Sequence, residues 1–329
     1  MAVRLHIYFD ITNKPWGGGN SFLKALRRTF VENPAFEIDI VTAVNAPYDI
    51  LLINGGHAGP GKLIHPRHVR NLKRWGYRTW WSFALHGFRK QPKKVVYRLD
   101  GARKIYAGQV DAMYRVQQEC LKLADHIIFQ SQFSVESFKD AGVSPEKYSI
   151  IYNGVDTTFF PMPQQPRGRH DPLRIITASW SQNPMKGHET IATFSELPGV
   201  VVTFIGNWPK EIPQKNVQTR PPMPQEELGR AFQHHDLFLF PGKNEACPNI
   251  VSEALSCGLP VLFEYSGGTP EIATPYGVAL TGNPARDLQE LLERYDTLQT
   301  HIYEDRKKFS IEHAAALYTE VLRRVTQQT

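Results

Sequence analysis

Cysteine is scarce in this chain. The three present, Cys120, Cys247 and Cys257, are an odd number and form no Cys-x-x-Cys pair. That argues against a disulfide framework or a zinc site and for a reducing compartment, here the cytoplasm. Long apolar runs are missing as well. No stretch approaches the ~18 residues that a membrane-crossing helix needs. The first apolar run, MAVRLHIYFD, is cut short by Asp10 and reads as a strand rather than a signal peptide. Internal repeats and low-complexity segments are absent. So is the dinucleotide fingerprint: the glycine cluster at Gly17-Gly18-Gly19 is followed by Asn20, Ser21 and Phe22, not by the spacing G-x-G-x-x-G. Acidic residues are absent from one long stretch, His65 to Lys94, which carries nine Lys or Arg among Trp75, Tyr77, Trp80, Trp81, Phe83 and Phe88. Such a mix suits an anionic surface, whether lipid headgroups or a charged acceptor. The plainer alternative is a half-buried helix with a solvated basic face.

What is present describes an ordinary globular chain. It has 329 residues, 41% of them apolar and 21% charged, with a net charge of +6. Single cores usually split beyond roughly 250–300 residues, so two domains are expected. Apolar strands alternate with amphipathic helices in both halves, which predicts parallel-sheet, Rossmann-like α/β domains. In the first half, strands are expected at 3–9, 36–41, 48–53, 94–101, 124–129 and 148–151. The glycine cluster is expected as a turn before a helix from Phe22. Three glycines would let the backbone come close to a ligand. Ligands in open α/β sheets sit beyond the carboxyl ends of strands, so Arg98 and Asp100, at the polar tip of VVYRLDG, are well placed. The stretch 161–172 holds four prolines, three charged residues and a histidine without a hydrophobic period, and reads as a linker.

The second half begins with the strand LRIITASW, followed by a loop, Ser181 to Gly187, before a helix. Lys186 in that loop offers a point charge for phosphate. Further on, Leu237–Phe240 reads as a buried strand, Pro241-Gly242 breaks it, and Glu245 sits in a polar loop. Pro248 suits the start of a helix that Gly258 ends. Glu253 falls in the second turn of that helix. A second strand and a glycine turn, Ser266-Gly267-Gly268, lead to Glu271.

The spacing Glu245-x7-Glu253, followed by EALSCGLP and GGTPE, resembles the donor site of retaining glycosyltransferases of the GT-B fold, in the large family numbered four. YNGVDTTFF resembles that family's exit from its first domain. The resemblance implies two Rossmann-like domains facing a central cleft: an acceptor-side domain at 1–160, a linker at 161–172 and a donor domain at 173–305, with a C-terminal helix at about 308–326 packing back on the first. It implies transfer of a sugar from a nucleoside-diphosphate sugar to a glycan, a lipid-linked or another small acceptor, as in polysaccharide or glycolipid synthesis. Gly18, Gly19, Ser181, Asn183 and Arg98 would lie along the donor. Lys186 and the N–H groups of Asn249 and Ile250 would hold the diphosphate, Glu245 the sugar hydroxyls, and Glu253 the ribose diol. Asp100 would line the reacting sugar where many relatives carry His, and His86 competes for that role. No D-x-D pair stands beside the proposed donor site, so no metal and no resident cofactor is expected, and no nucleic-acid partner. One departure stands out: where the family's phosphate loop has an arginine five residues before the lysine, this chain has Ser181. A sugar-nucleotide epimerase of the same fold and a non-catalytic nucleotide or carbohydrate binder remain as alternatives.

Overall fold

The structure, a computed structural model, describes residues 2–13, 17–42, 46–75, 93–102, 110–166 and 168–327. They form two compact units, Met1–Tyr152 with Ile311–Thr329, and Asn153–Ser310.

The first unit is built on strands β1 (Val3–Tyr8), β2 (Ile38–Ile40), β3 (Ile50–Asn54), β4 (His57–Gly59), β5 (Lys62–Leu63), β6 (Lys94–Leu99), β7 (His126–Phe129) and β8 (Tyr148–Ile150). Its helices are α1 (Gly17–Glu32), α2 (Pro66–Trp75), α3 (Ala112–Leu121) and α4 (Gln132–Asp140). The sheet runs β2-β1-β3-β6-β7-β8, all parallel, with the β4–β5 hairpin hanging off β3. Helix side chains Phe22, Leu23, Leu26 and Phe30 meet Val3, Leu5, Ile7, Ile50 and Leu52 on one face. On the other, Tyr48, Leu51, Ile53, Val95, Tyr97 and Phe129 pack with Val69, Leu72, Val135 and Phe138. Burial on both faces is why these strands read as continuous apolar runs rather than alternating ones.

The second unit has strands β9 (Leu173–Ser179), β10 (Val200–Gly206), β11 (Gln218–Arg220), β12 (Leu237–Phe240), β13 (Val261–Phe263) and β14 (Gly277–Ala279). They form a parallel sheet in the order β11-β10-β9-β12-β13-β14. Its helices are α5 (His188–Phe194), α6 (Gln225–Phe232), α7 (Asn249–Ser256), α8 (Thr269–Ala273), α9 (Pro284–Glu293) and α10 (Tyr295–Asp305). In β12 the two periods are visible at once: Phe238 and Phe240 join the core under α6 and α7, while Leu237 and Leu239 join the opposite core with Ile191, Phe194, Leu288 and Leu291. The last helix, α11 (Ile311–Gln327), belongs to the first unit, where Ile311, Ala314, Ala315, Tyr318, Val321 and Leu322 close the core over α1.

In both sheets the chain starts in the middle, moves outward one way, then returns to the other side of its first strand. The switch points therefore lie between β1 and β3, and between β9 and β12. Loops leaving adjacent strands there diverge to opposite faces and open a crevice at the carboxyl ends.

Several expectations need correcting. The glycine cluster is not a turn before the helix but the first turn of α1. Only Gly17 is left-handed, at φ +50. The turn is pinned by Asn20, whose Oδ1 accepts from the Thr12 N–H at 3.0 Å and whose Nδ2 donates to the Thr12 carbonyl at 3.0 Å. The glycine turn at Gly267-Gly268 is present as expected, but Thr269-Pro270-Glu271 after it open a short helix, α8, with Pro270 in its first turn. The stretch 285–298 does not form one helix but falls in two, α9 and α10, divided at Arg294. The redirection places Tyr295 in the core with its hydroxyl donating to the Asp236 carbonyl at 2.9 Å. The crossing between units falls at Tyr152–Asn153, so the stretch 153–172 lies inside the second unit. There the Val155 N–H donates to the Phe309 carbonyl at 2.7 Å and Phe160 is fully buried. Of the basic stretch 65–94, positions 76–92, His86 among them, lie outside the described residues.

Leu322 in α11 is fully buried in the core shared with α1 and β1. Truncation of such a side chain costs about 2–5 kcal/mol. Leu322→Ala should lower the thermal transition of the first unit selectively, so that calorimetry resolves two transitions; a uniform shift, or none, would contradict this packing.

Candidate functional site

At the β9–β12 switch point two loops meet. The first leaves β9 and closes as a short 3-10 turn over Pro184–Lys186. Ser181 and Asn183 shape it: Ser181 Oγ accepts from the Asn183 N–H at 3.2 Å, and Asn183 Oδ1 from the Met185 N–H at 2.9 Å. The second leaves β12 and carries Glu245. Lys186 Nζ forms an ion pair and hydrogen bond with Glu245 Oε1, with the two side chains 28% and 31% exposed. The loops touch along their backbones too, since the Lys243 N–H donates to the Met185 carbonyl at 2.8 Å.

Two glycines make that approach possible. Gly187 has φ +71, and a Cβ there would stand 2.7 Å from both Cβ and O of Pro241. Gly267 has φ +65, and a Cβ there would stand 2.4 Å from the Glu245 carbonyl oxygen. Gly268 N–H donates to that oxygen at 2.8 Å, and Ser266 Oγ accepts from the Asn244 N–H at 3.0 Å. Ser266 to Gly268 is therefore the backing of the Glu245 loop.

Glu245 leads into α7. Its cap position is Pro248, which makes no side-chain cap hydrogen bond, and the positive end of the helix dipole lies at its first turn, Asn249 and Ile250. The Asn249 side chain is turned to Asn153, whose Nδ2 donates to Asn249 Oδ1 at 2.8 Å. Glu253 lies one turn further along. The residue keeps some exposure, but its carboxyl is buried, and burial pushes its pKa up to about 7 from 4.5 against a hydrogen bond from Gln225 at the start of α6. His188, the first residue of α5, is fully buried between Phe204 and Trp208, with ring centroids 5.4 Å from each. Burial, and then the Lys186 charge, lower its pKa below the usual histidine value.

The first unit gathers a second group at the ends of β3 and β6. Arg98 is only 2% exposed. Its Nη1 donates to Asn54 Oδ1, and its guanidinium lies 4.5 Å from the centroid of the Phe22 ring. Gly19 faces this pair: a Cβ on it would stand 3.2 Å from Asn54 Nδ2 and 3.9 Å from Arg98 Nη1. Gly18 lies beside it in the first turn of α1. Asp100 follows β6 directly. Burial raises its pKa, opposed by Arg98, by the N–H groups of Asp100 and Gly101, and by His57. Its Oδ1 has no hydrogen-bond partner among the described residues.

The structure thus brings Lys186 and Glu245 into contact, and gathers Gly19, Arg98 and Asp100 in the other unit. Sequence reading missed Asn153, Gln225, Ser266, Asn54 and His57. Four of these are polar residues with no charge or periodicity to mark them. His57 arrives on a hairpin of two- and three-residue strands too short to register as a pattern. In α2, Val69 and Leu72 face the core while Arg67, Arg70 and Arg74 face solvent. Among the described residues no helix is long and apolar enough to cross a membrane.

Comparison with known proteins follows the same division. Residues 2–159 match the model of Glycosyltransferase Family 4, and residues 191–312 that of Glycosyl transferases group 1. Among curated proteins, a sulfoquinovosyl transferase of Arabidopsis thaliana is 25% identical over 60% of this chain and 42% of its own length. A GDP-mannose-dependent monoacylated alpha-(1-6)-phosphatidylinositol monomannoside mannosyltransferase of Corynebacterium glutamicum is 25% identical over 75% of this chain and 64% of its own. The chain therefore spans less than two thirds of these relatives. Among solved structures, HepE of Anabaena in complex with UDP and glucose superposes with a TM-score of 0.67 at 16% identity, covering 98% of this chain and all of that one. At that identity the likeness establishes the fold: two parallel-sheet α/β domains of GT-B type.

Gly187→Ala forces a left-handed backbone on a residue with a Cβ and pushes it into Pro241. The strain is about 1–3 kcal/mol, and urea denaturation should show at least that loss. Glu253 sets a pH dependence with a definite sign. Below pH 4.5 folded and unfolded chains both hold the proton. As pH rises to about 7 the unfolded chain ionises first, so stability falls, and above about 7 the full cost is in place. At about 1.4 kcal/mol per pH unit that cost is about 3 kcal/mol. Glu253→Gln should therefore be more stable than the parent at pH 8 and equal to it at pH 4; equal melting temperatures at pH 8 would show that the carboxyl is not held in this environment.

Proposed function

Because the chain belongs to the glycosyltransferases of the GT-B fold, with an N-terminal half of family 4 type and a C-terminal half of group 1 type, we propose that it is a retaining glycosyltransferase. It takes a sugar from a nucleoside-diphosphate sugar and places it on a glycan, a lipid-linked or another small acceptor. The observation that carries this reading is the convergence of Lys186 and Glu245 from two loops at the β9–β12 switch point, next to the start of α7.

The roles follow from charge. When the bond between the anomeric carbon and the diphosphate breaks, negative charge grows on the departing oxygen and positive charge on the sugar. Lys186 and the N–H groups of Asn249 and Ile250 stabilise the former. A cation and a helix end supply that charge without a metal. Glu245 accepts hydrogen bonds from sugar hydroxyls, and its present partner, Lys186, becomes available to the diphosphate. Glu253 accepts from the ribose diol; two hydroxyl donors favour its ionised form, which burial alone disfavours. Ser181, in place of a family arginine, leaves Lys186 as the cation of its loop. The first unit serves the acceptor, with Asp100 as its charged group for the reacting sugar. HepE holds UDP and glucose, and the Corynebacterium relative is named for GDP-mannose, so uridine and guanosine diphosphate sugars are the donors to screen. The exposed arginines of α2 suit an acceptor at an anionic membrane surface.

With a donor in hand, Lys186→Ala should lower kcat by about 10²–10³, the loss seen when one preorganised donor to a developing anion is removed. Its melting temperature should stay close to the parent's, because a partly exposed ion pair adds only about 0–1 kcal/mol to stability. Transfer at the parental rate would remove the lysine from the mechanism. Donor consumed without any acceptor would favour the epimerase reading instead.

A further inference from the structure

Asn153 has no part in the scheme above, yet it is bonded to the segment that the scheme depends on. It is 6% exposed and stands at the first position of the second unit. Its Nδ2 donates to Asn249 Oδ1 at 2.8 Å and reaches the Cys247 carbonyl at 3.5 Å. Its backbone N–H points to Cys247 Sγ at 3.4 Å. One residue thus spans 247–249, the bend between Glu245 and the first turn of α7.

The support behind Asn153 is firm. Two residues on, Val155 donates to the Phe309 carbonyl at 2.7 Å and pairs in parallel with Ser310. Asp156 Oδ1 accepts from the Thr158 N–H at 3.1 Å. Phe160 is fully buried in the core that also holds Val251, Ala254 and Leu255 of α7, and Ser256 of that helix donates to the Phe160 carbonyl at 2.7 Å. Asn153 is therefore the near end of a strap fastened along the same helix it meets at residue 249.

The bend needs such a strap. Pro248 occupies the cap position and offers no side-chain hydrogen bond, its carbonyl accepting from the Val251 N–H at 3.1 Å. The Asn249 amide is the polar side chain nearest the helix start. Left loose, it could turn to the first N–H groups of its own helix, as short amides do. Held by Asn153, the amide keeps one arrangement at the helix start, and a site whose dipoles are set before the ligand arrives loses less on binding.

We propose that Asn153 is a positioning residue for the donor diphosphate, acting through the Asn249 side chain on the bend at 247–249. This rests on the donor reading of the α7 start given above. The probes are uridine and guanosine diphosphate, titrated calorimetrically at a temperature where every variant is folded. Asn153→Ala should raise the dissociation constant about tenfold, the size of one lost hydrogen bond to a preorganised group. In turnover the donor KM should rise while the acceptor KM stays. Asn249→Ala keeps its backbone N–H and should show the same loss; being half-buried, it carries the test if Asn153→Ala does not fold. The double variant should be no worse than either single, since both remove one interaction. A lower melting temperature with unchanged diphosphate affinity would mark Asn153 as structural only and overturn the proposal. So would additive losses in the double variant. If Lys186→Ala weakens diphosphate binding and Asn153→Ala does not, the donor site stands and the role of Asn153 falls. If the parent binds neither diphosphate, both fall.

Discussion

The Lys186–Glu245 pair depends on strand order more than on anything local. Because β9 has β10 on one side and β12 on the other, the loops leaving β9 and β12 are neighbours with nothing between them. A chain that left β9 and returned beside β10 would put 59 residues of sequence separation to no such use. As a contribution to stability the pair is minor: both side chains are close to a third exposed, and such pairs are worth about 0–1 kcal/mol. Its significance is one of poise. An ammonium held beside a carboxylate is already placed and partly desolvated, and the proposed diphosphate would compete with one charge rather than with a full hydration shell.

Backbone contact, not side-chain packing, sets the precision of that placement. A Cβ at Gly187 would collide with Pro241, one at Gly267 with Glu245, and one at Gly206 would lie 1.8 Å from the Ser179 carbonyl oxygen. All three have positive φ, so each position is closed to other residues twice over, by conformation and by space. They join β9 to β10, the Lys186 loop to the end of β12, and the Glu245 loop to the turn after β13. Ordinary cores tolerate swaps of similar volume; these contacts offer no volume to swap. That places the chemical groups on rigid supports although they sit in loops.

The fold was legible because its signals were long. Fully apolar strands such as LRIITAS and KVVYRL, alternating with amphipathic helices, leave few options beyond parallel sheets with both faces covered. Glu245, Glu253 and Lys186 stood out as candidates because charged residues near helix starts and strand ends are conspicuous. What escaped had no such mark. Asn153 is one asparagine among several, and its partners lie 94 and 96 residues away. Gly17 to Gly19 suggested a turn, since glycine weakens helices by about 1 kcal/mol relative to alanine; the tertiary bonds of Asn20 to Thr12 outweighed that preference. The break at Arg294 has neither glycine nor proline at it. It comes from the burial of Tyr295, which depends on β12 being where it is.

Glu245 and Glu253 are not two solvated carboxylates on a surface helix. Glu245 is tied to a lysine from another loop, and the Glu253 carboxyl is buried with its pKa pushed up to about 7. Asp100 in the first unit is in the same position, raised by burial and with one oxygen unpartnered among the described residues. Burying a carboxyl without full compensation works against the folded state, and apolar residues of similar size would remove that cost at 100 and 253. Neither carboxyl is explained by the stability of the fold alone. A ligand that brings hydroxyl donors to Glu253 would supply the compensation the folded chain lacks, which is the physical content of assigning it to a ribose.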